Sequence, residues 1–237
     1  METRFLGTGA ADWNGPDERG EYRRLTSTLF DGRLLIDLTR GAMDMLPKDA
    51  AIGALLYTHS HADHYDPAAL DALKPQNVYA HESWAGAIAH PRVTALRLFE
   101  PVQAAGFTVT ALPSNHATER PDEVTVHYLI EKGGKRLLYA TDGAWLLKKE
   151  VQAIHGALDA IVIDCTIGDG HEGDYRIFEH NNAVMVSEMA ATFSGICSRF
   201  MVSHLARTLH PATHAETAKV LEKFGLECAR DNLRVTV

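Results

Sequence analysis

The chain reads Ala54-Leu55-Leu56-Tyr57-Thr58-His59-Ser60-His61-Ala62-Asp63-His64, placing three histidines and an aspartate within six residues, right after an apolar run. In an extended segment residues i and i+2 project to the same side. His59 and His61 can therefore present imidazole nitrogens to one cation while Asp63 and His64 reach a neighbouring one. That spacing is a metal-binding arrangement. Thirteen histidines in 237 residues is a high count, and an excess of the commonest metal-ligand side chain fits the motif.

The rest of the composition bounds what such a centre serves. Hydrophobic residues make up 46% and charged residues 23%, the balance of a globular protein with a real core. Met1-Glu2-Thr3-Arg4 leads straight into a strand-like segment instead of the apolar stretch of a signal peptide. No apolar run approaches the roughly 20 residues of a membrane helix, so no membrane partner is expected. The net charge of −8 and the lack of a basic cluster argue against a nucleic-acid partner. Cys165, Cys197 and Cys228 are odd in number and far apart, which favours a reducing compartment, with the cytoplasm as the expectation.

Periodicity predicts strands at Arg4–Leu6, Ser27–Phe30, Leu34–Asp37, Ala54–Thr58, Asn77–Ala80, Phe107–Leu112, Val124–Glu131, Arg136–Thr141, Ala160–Ile163, Arg199–Ser203 and Leu233–Val237. Helices fit Pro67–Leu73, with Pro at the first turn, and Asn182–Phe193. A further helix begins with the capping box Thr213-His214-Ala215-Glu216 and stops at Gly225. Gly32, Gly133-Gly134 and Asp169-Gly170 mark turns. Strands without strict β-α alternation, then interleaved helices, predict an α/β arrangement of two sheets flanked by helices. With no linker and no repeat, residues 1–237 read as a single domain. The polar loops 11–20 and 168–174 are expected to be flexible and to lie at a site rim.

Further ligand-type residues recur at the ends of predicted strands. His116 follows Phe107–Leu112 by a short turn, Asp142 directly follows Arg136–Thr141, and His204 directly follows Arg199–Ser203. In layered α/β folds ligand sites gather at carboxyl ends of strands.

The order H-x-H-x-D-H, then His, Asp and His, carried by His59, His61, Asp63, His64, His116, Asp142 and His204, resembles the metallo-β-lactamase-fold hydrolases. The resemblance implies a four-layer αββα sandwich and a cofactor of two divalent metal ions, zinc or manganese. It implies His59, His61 and His116 on one metal, Asp63, His64 and His204 on the other, Asp142 bridging, and a bridging hydroxide as nucleophile. Imidazole and carboxylate donors suit such cations. Redox di-iron members of the fold carry Glu where this chain has His61, which favours hydrolysis.

Phe5-Leu6-Gly7-Thr8-Gly9, Tyr22-Arg23-Arg24 and Leu112-Pro113-Ser114-Asn115-His116 are together similar to the phosphodiesterase branch of that family. The branch includes tRNA 3′-processing endonucleases and the cyclic-phosphate phosphodiesterase of phosphonate breakdown. His180-Asn181-Asn182 and Asp164-Cys165-Thr166 match the latter more closely. The resemblance implies catalytic roles for Asp63 and His180, with His180 as general acid, and a small cyclic or diester phosphate as substrate. The phosphonate enzyme's N-terminal cysteine cluster is missing from Asp12–Gly20, and the endonucleases' inserted arm and His-Glu-Ala-Thr segment are missing too. A lactone or thioester substrate is the alternative within the enzymes. A non-catalytic metal-binding protein is the alternative outside them, and a homodimer is the commonest oligomer to expect.

Other residues carry blander expectations. Gly7-Thr8-Gly9 lacks the third glycine and following helix of a phosphate loop and reads as a tight turn. Arg23 and Arg24 are read as a solvated strand edge, with phosphate contact as the alternative. His210 is within reach of the pocket, His214 is expected exposed on its helix, and His81, His90, His127, His155 and His171 are expected on the surface or in structural hydrogen bonds. Asp164 is expected either to orient a ligand histidine or to cap the next turn. Cys165 is not expected to be a nucleophile.

Overall fold

The computed structural model describes residues 1–170 and 175–237. Two seven-stranded mixed sheets lie face to face. The first contains β1 (Glu2–Gly7), β2 (Ser27–Phe30), β3 (Leu34–Ile36), β4 (Ala54–Leu56), β5 (Val78–His81), β6 (Val93–Leu96) and β14 (Arg234–Thr236), in the order β14-β1-β2-β3-β4-β5-β6. The second runs β13 (Glu227–Cys228), β12 (Phe200–Ser203), β11 (Ala160–Asp164), β10 (Lys135–Ala140), β9 (Val126–Lys132), β8 (Phe107–Pro113) and β7 (Pro101–Ala104). Each sheet is antiparallel on one side and parallel on the other, from β3 to β6 and from β10 to β13.

Strand periodicity of two builds the layers. Leu34 and Ile36 point between the sheets with Phe5, Phe30, Leu56, Phe107, Tyr128, Tyr139 and Val162. Leu35 and Leu55 point the other way, onto α2 (Pro67–Leu73) and α3 (Glu82–Ala85), through Ala69, Leu70 and Trp84. On the second sheet Leu138, Ile161, Ile163 and Val202 cover α5 (Ala183–Thr192) and α6 (His214–Glu222) through Val186, Met189 and Leu221. The result is helix, sheet, sheet, helix. Strands buried on both faces explain why Ala54-Leu55-Leu56 and Ala160–Ile163 are unbroken apolar runs.

Differences from the sequence reading have local causes. β6 and β7 were not expected, because edge strands such as Val-Thr-Ala-Leu and Pro-Val-Gln-Ala bury little and carry no clear alternation. β13 has two residues, and α1 (Arg40–Met43) and α3 have four each, too short to show a period. α4 (Lys148–Ala153) was also not expected; its buried residue is Glu150. The predicted strands ending at Asp37, Thr58 and Thr141 stop at Ile36, Leu56 and Ala140 instead. The capping box of α6 forms as expected, with Thr213 Oγ1 accepting from Glu216 N and Glu216 Oε2 accepting from Thr213 N, both at 3.2 Å. Gly7 serves close backbone approach, since a Cβ there would lie 2.0 Å from Leu25 O. Part of the predicted 168–174 loop, with His171, lies outside the described residues.

Two hydrogen bonds tie the two sheets where the motif begins: Tyr128 Oη on β9 donates to Tyr57 O, just past β4, at 2.6 Å, and Val126 N on β9 donates to Thr58 O at 3.1 Å. Both tyrosines are buried. Tyr128→Phe leaves the Tyr57 carbonyl without the donor, a loss on the order of 1–3 kcal/mol. Urea denaturation of the two proteins should show a lowered midpoint with an unchanged slope.

Candidate metal centre

Three residues just beyond strand ends adopt the left-handed backbone region that non-glycine residues seldom occupy: Asp37 after β3 (φ 54°), Asp142 after β10 (φ 57°) and His204 after β12 (φ 57°). The reversal turns each side chain out of the sheet's pleat. All seven motif residues reach one end of the sandwich, Asp142 and His204 through this reversal, and they fall into groups whose donor atoms lie within 4.8 Å of one another: His59, His61 and His116; Asp63, His64 and His204; and His59, His64 and Asp142.

The distances describe two converging donor sets. His61 Nδ1 is 3.0 Å from His59 Nε2 and 3.1 Å from His116 Nε2. His64 Nε2 is 3.3 Å from His204 Nε2, 3.4 Å from Asp63 Oδ2 and 2.7 Å from Asp142 Oδ2. Asp142 Oδ1 lies 3.2 Å from His204 Nε2. Two nitrogens held by one tetrahedral zinc at about 2.0–2.1 Å stand about 3.3–3.4 Å apart, so the spacing is that of co-ligands.

The outward ring nitrogens decide what faces inward. Asp37 Oδ2 takes the Nδ1 proton of His64 at 2.7 Å. Thr58 donates its hydroxyl proton to Asp37 at 2.8 Å and so accepts from His59 Nδ1 at 2.9 Å. Thr166 Oγ1 does the same for His204 Nδ1 at 2.8 Å while donating to Asp164 Oδ2 at 2.9 Å. The Nε2 lone pairs of His59, His64 and His204 are left pointing at one another and at carboxylates. Asp142 Oδ2, buried, makes no hydrogen bond despite its 2.7 Å approach to His64. Imidazole nitrogens and carboxylates packed this closely need positive charge among them, from protons on His64 and His204 or from a metal in their place, and the chemistry of the donor set fits divalent metal.

Electrostatics point the same way. Burial, then neighbouring His64, pushes His59 far below its ordinary range, and burial with His180 lowers His116, so both are neutral donors. Burial opposes charge on Asp63 and Asp142, but His64 and His204 outweigh it and hold both carboxyls well below their usual range. Conversely, burial opposes charge on His64 and His204, yet Asp142 and the other carboxylates raise His64 well above its usual value and His204 to about 10. The carboxylates create a negative potential that a cation satisfies.

Supporting residues complete the scaffold, Glu123 and Glu150 among them without a signal in the sequence. Glu123, with its side chain fully buried, accepts from Ser60 N at 2.7 Å and Ser60 Oγ at 2.6 Å, fixing the loop between His59 and His61. Buried His127 meets buried Glu150 at 2.7 Å beneath the Asp142 loop. A Cβ on Gly143 would lie 2.9 Å from His127 Nε2, so glycine is required there. Asp37 was readable only as a carboxylate ending an apolar strand. Asp164 plays both expected parts, accepting from Thr166 N at 2.9 Å while meeting His204 Nδ1 at 3.4 Å and His180 Nδ1 at 2.8 Å.

The donors open into a cleft of about 370 Å³ lined also by Ala11, Asp12, Thr166, Arg176, Glu179 and His180. A hollow of about 480 Å³ elsewhere mixes Arg4, Arg33 and Arg234 with Glu2, Asp31 and Asp49 and holds no histidine. His210 Nε2 sits 2.8 Å from Cys165 O and does not line the cleft. Two expectations are corrected. Arg23 is no solvated edge residue but buried, donating to Thr8 Oγ1 at 3.1 Å and to His214 Nδ1 at 3.0 Å. His214 is accordingly half-buried, because that guanidinium draws it in. Arg24 pairs with Asp231 at 3.7 Å, and neither arginine lines the cleft. The cysteines are free, and Cys165 is buried with its thiol pushed up by burial and by Asp164.

Two facing sheets with this centre at the strand ends define a fold class, and the sequence agrees. The model of the beta-lactamase superfamily domain matches residues 22–205, and the chain belongs to that family. Among curated proteins none matches the chain in sequence. Similar solved structures include the metallo-beta-lactamase fold protein YhfI from Bacillus subtilis, 16% identical with a TM-score of 0.77 over 99% of this chain and 98% of that one. Zinc-bound PqqB from Methylobacterium extorquens is 21% identical with a TM-score of 0.75 over the whole of both chains. The short form of human tRNase Z is 16% identical with a TM-score of 0.71 over 100% and 99%. These likenesses are of fold.

Two outcomes follow from the scaffold. Asp37→Asn should weaken metal binding about 10- to 100-fold, read by competition with a chromophoric chelator. His214 is lowered to about 4 by burial and by Arg23 and Arg230. Its folded value lies below the unfolded one, so between pH 6.5 and about 4 only the unfolded chain takes up the proton. Its contribution to stability is complete above pH 6.5 and is lost as pH falls. His214→Gln should therefore lose stability less steeply than the wild type across that window, measured by urea denaturation at stepped pH.

Proposed function

We propose that this protein is a hydrolase of small cyclic or diester phosphates that uses two divalent cations, zinc or manganese. His59, His61 and His116 would hold one cation, Asp63, His64 and His204 the other, and Asp142 would serve both. Bound there, the cations would supply Lewis acidity toward the phosphoryl group and lower the pKa of an attacking water. Asp63, ionised throughout the working pH range, would keep its carboxylate on the cation-holding side.

The observation that carries the reading is the placement of His180. Its ring lies 4.9 Å from that of His116 and stacks on that of His204 at 5.6 Å, on the cleft wall. Asp164 Oδ2 meets its Nδ1 at 2.8 Å and Asp142 Oδ1 lies 3.7 Å away. Burial opposes the imidazolium, but Asp164 and Asp142 outweigh it and raise the group above its ordinary range. With Nδ1 anchored on Asp164, Nε2 of His180 would be available to protonate a leaving alkoxide. Arg176 on the same wall adds a fixed positive charge suited to a phosphoryl oxygen.

We also propose a single catalytic domain working in the cytoplasm, as a homodimer if it associates. Net charge −8 disfavours a nucleic-acid substrate. Among the described residues no helix is long and apolar enough to cross a membrane.

The reading is tested by metal analysis together with turnover of bis(p-nitrophenyl) phosphate, a cyclic nucleotide, a lactone and a thioester. Diester turnover with two metals per chain is expected; strong lactone or thioester turnover without diesterase activity would overturn it. His180→Ala should keep the metal and lose at least about tenfold in turnover. Full activity in that variant would remove His180 from the mechanism.

A further inference from the structure

Beside the metal cleft lies a second cavity, of about 340 Å³, walled by Trp145, Ile177, Phe178 and Met185 with Asn115 and Asn182 at its polar side. Each part of its wall is continuous in sequence with the centre. Asn115 precedes His116, Trp145 follows Asp142 by three residues, and Phe178 and Asn182 flank His180 by two.

The aromatic walls are unusual. Among the described residues four large apolar side chains are exposed, and two of them, Trp145 at 43% and Phe178 at 75%, face this one cavity. Trp145 also holds φ 60°, a conformation a bulky side chain adopts only where its surroundings impose it. The imposition is visible. Asn181 Oδ1 accepts from Trp145 N at 2.7 Å, and Asn181 Nδ2 donates to Gly143 O at 2.8 Å. Asn115 then links the two aromatic segments, its Oδ1 accepting from Ala144 N at 2.9 Å and its Nδ2 donating to Phe178 O at 3.4 Å. The backbones of a strained tryptophan and an exposed phenylalanine are thus tied by hydrogen bonds on the walls of one cavity, next to the candidate metal cleft. Preorganised aromatic walls favour a flat ring, which gains offset-stacked or edge contacts without ordering a flexible chain.

We infer that this cavity is a substrate subsite that binds a planar aromatic group borne by the ester, with Trp145 and Phe178 determining specificity. The inference rests on the phosphate reading above for the identity of the anionic group, but the ring preference does not depend on turnover.

Binding separates the two. Isothermal titration of the metal-loaded protein with phenylphosphonate, methylphosphonate and hexylphosphonate reads the subsite directly. Phenylphosphonate should bind at least about tenfold more tightly than methylphosphonate, the effect of one stacked ring, and more tightly than hexylphosphonate. In Trp145→Ala and in Phe178→Ala the phenyl-to-methyl ratio should collapse toward one. Phe99→Ala, which removes an exposed aromatic outside the cavity, should keep it. Both aromatic positions are exposed enough for the variants to fold, which thermal melts verify. Equal phenyl and methyl affinities, equal phenyl and hexyl affinities, or a ratio that survives both alanine variants would overturn the subsite. Ring preference in a protein that turns over no diester would leave the subsite standing and remove the phosphodiesterase reading.

Discussion

The structure depends on keeping imidazole lone pairs and carboxylate oxygens pointed into one small buried space. Without a cation the arrangement is held by protons that His64 and His204 take up against Asp63 and Asp142, and burial raises the cost of every charge in it. Asp37, Thr58, Thr166 and Asp164 impose it by occupying the outward ring nitrogens, so that His59, His64 and His204 have one inward orientation each. A divalent cation bound there would take the place of those protons. The stability of this end of the sandwich and its affinity for metal are therefore two views of one network.

The sandwich supplies the rigidity such a network needs. Its inner layer of Phe5, Phe30, Phe107, Tyr128 and Tyr139 is fully buried, and its strands end together at the cleft. Asp37, Asp142 and His204 accept a disfavoured backbone conformation there, a strain that persists because packed strands over-determine it. The same loops run on into the aromatic cavity. Asp142 and Trp145 belong to one turn, pinned by Asn115 and Asn181, so the candidate metal centre and the aromatic cavity share their supports.

Much of this was legible in the chain. Unbroken apolar runs such as Ala160–Ile163 announced doubly covered strands, and the type and position after strands of His59, His61, Asp63, His64, His116, Asp142 and His204 announced side chains that the structure gathers into one candidate metal centre. Edge strands β6 and β7 escaped because they bury little. Glu123 and Glu150 escaped because a charged residue in a sequence looks solvated until a fold buries it against a partner, whereas His127, expected on the surface or in a structural hydrogen bond, takes the second course against Glu150. Arg23 misled for the same reason, its exposure being read from its type and its burial created by Thr8 and His214, far away in the chain.

Residue type and local spacing carry strand period, capping and the H-x-H-x-D-H cluster, since these are interactions among near neighbours along the chain. The seven donors, the αα-flanked double sheet and the family were within reach of that information. Which lone pairs face inward, which carboxylate anchors His180, and whether Trp145 and Phe178 meet across a cavity depend on contacts between segments remote in sequence. Asp37 to His64 spans 27 residues, and Asn115 to Phe178 spans 63. Only the packing of one sheet on the other brings those groups together, because the orienting hydrogen bonds act over about 3 Å and a linear pattern contains no distances across space.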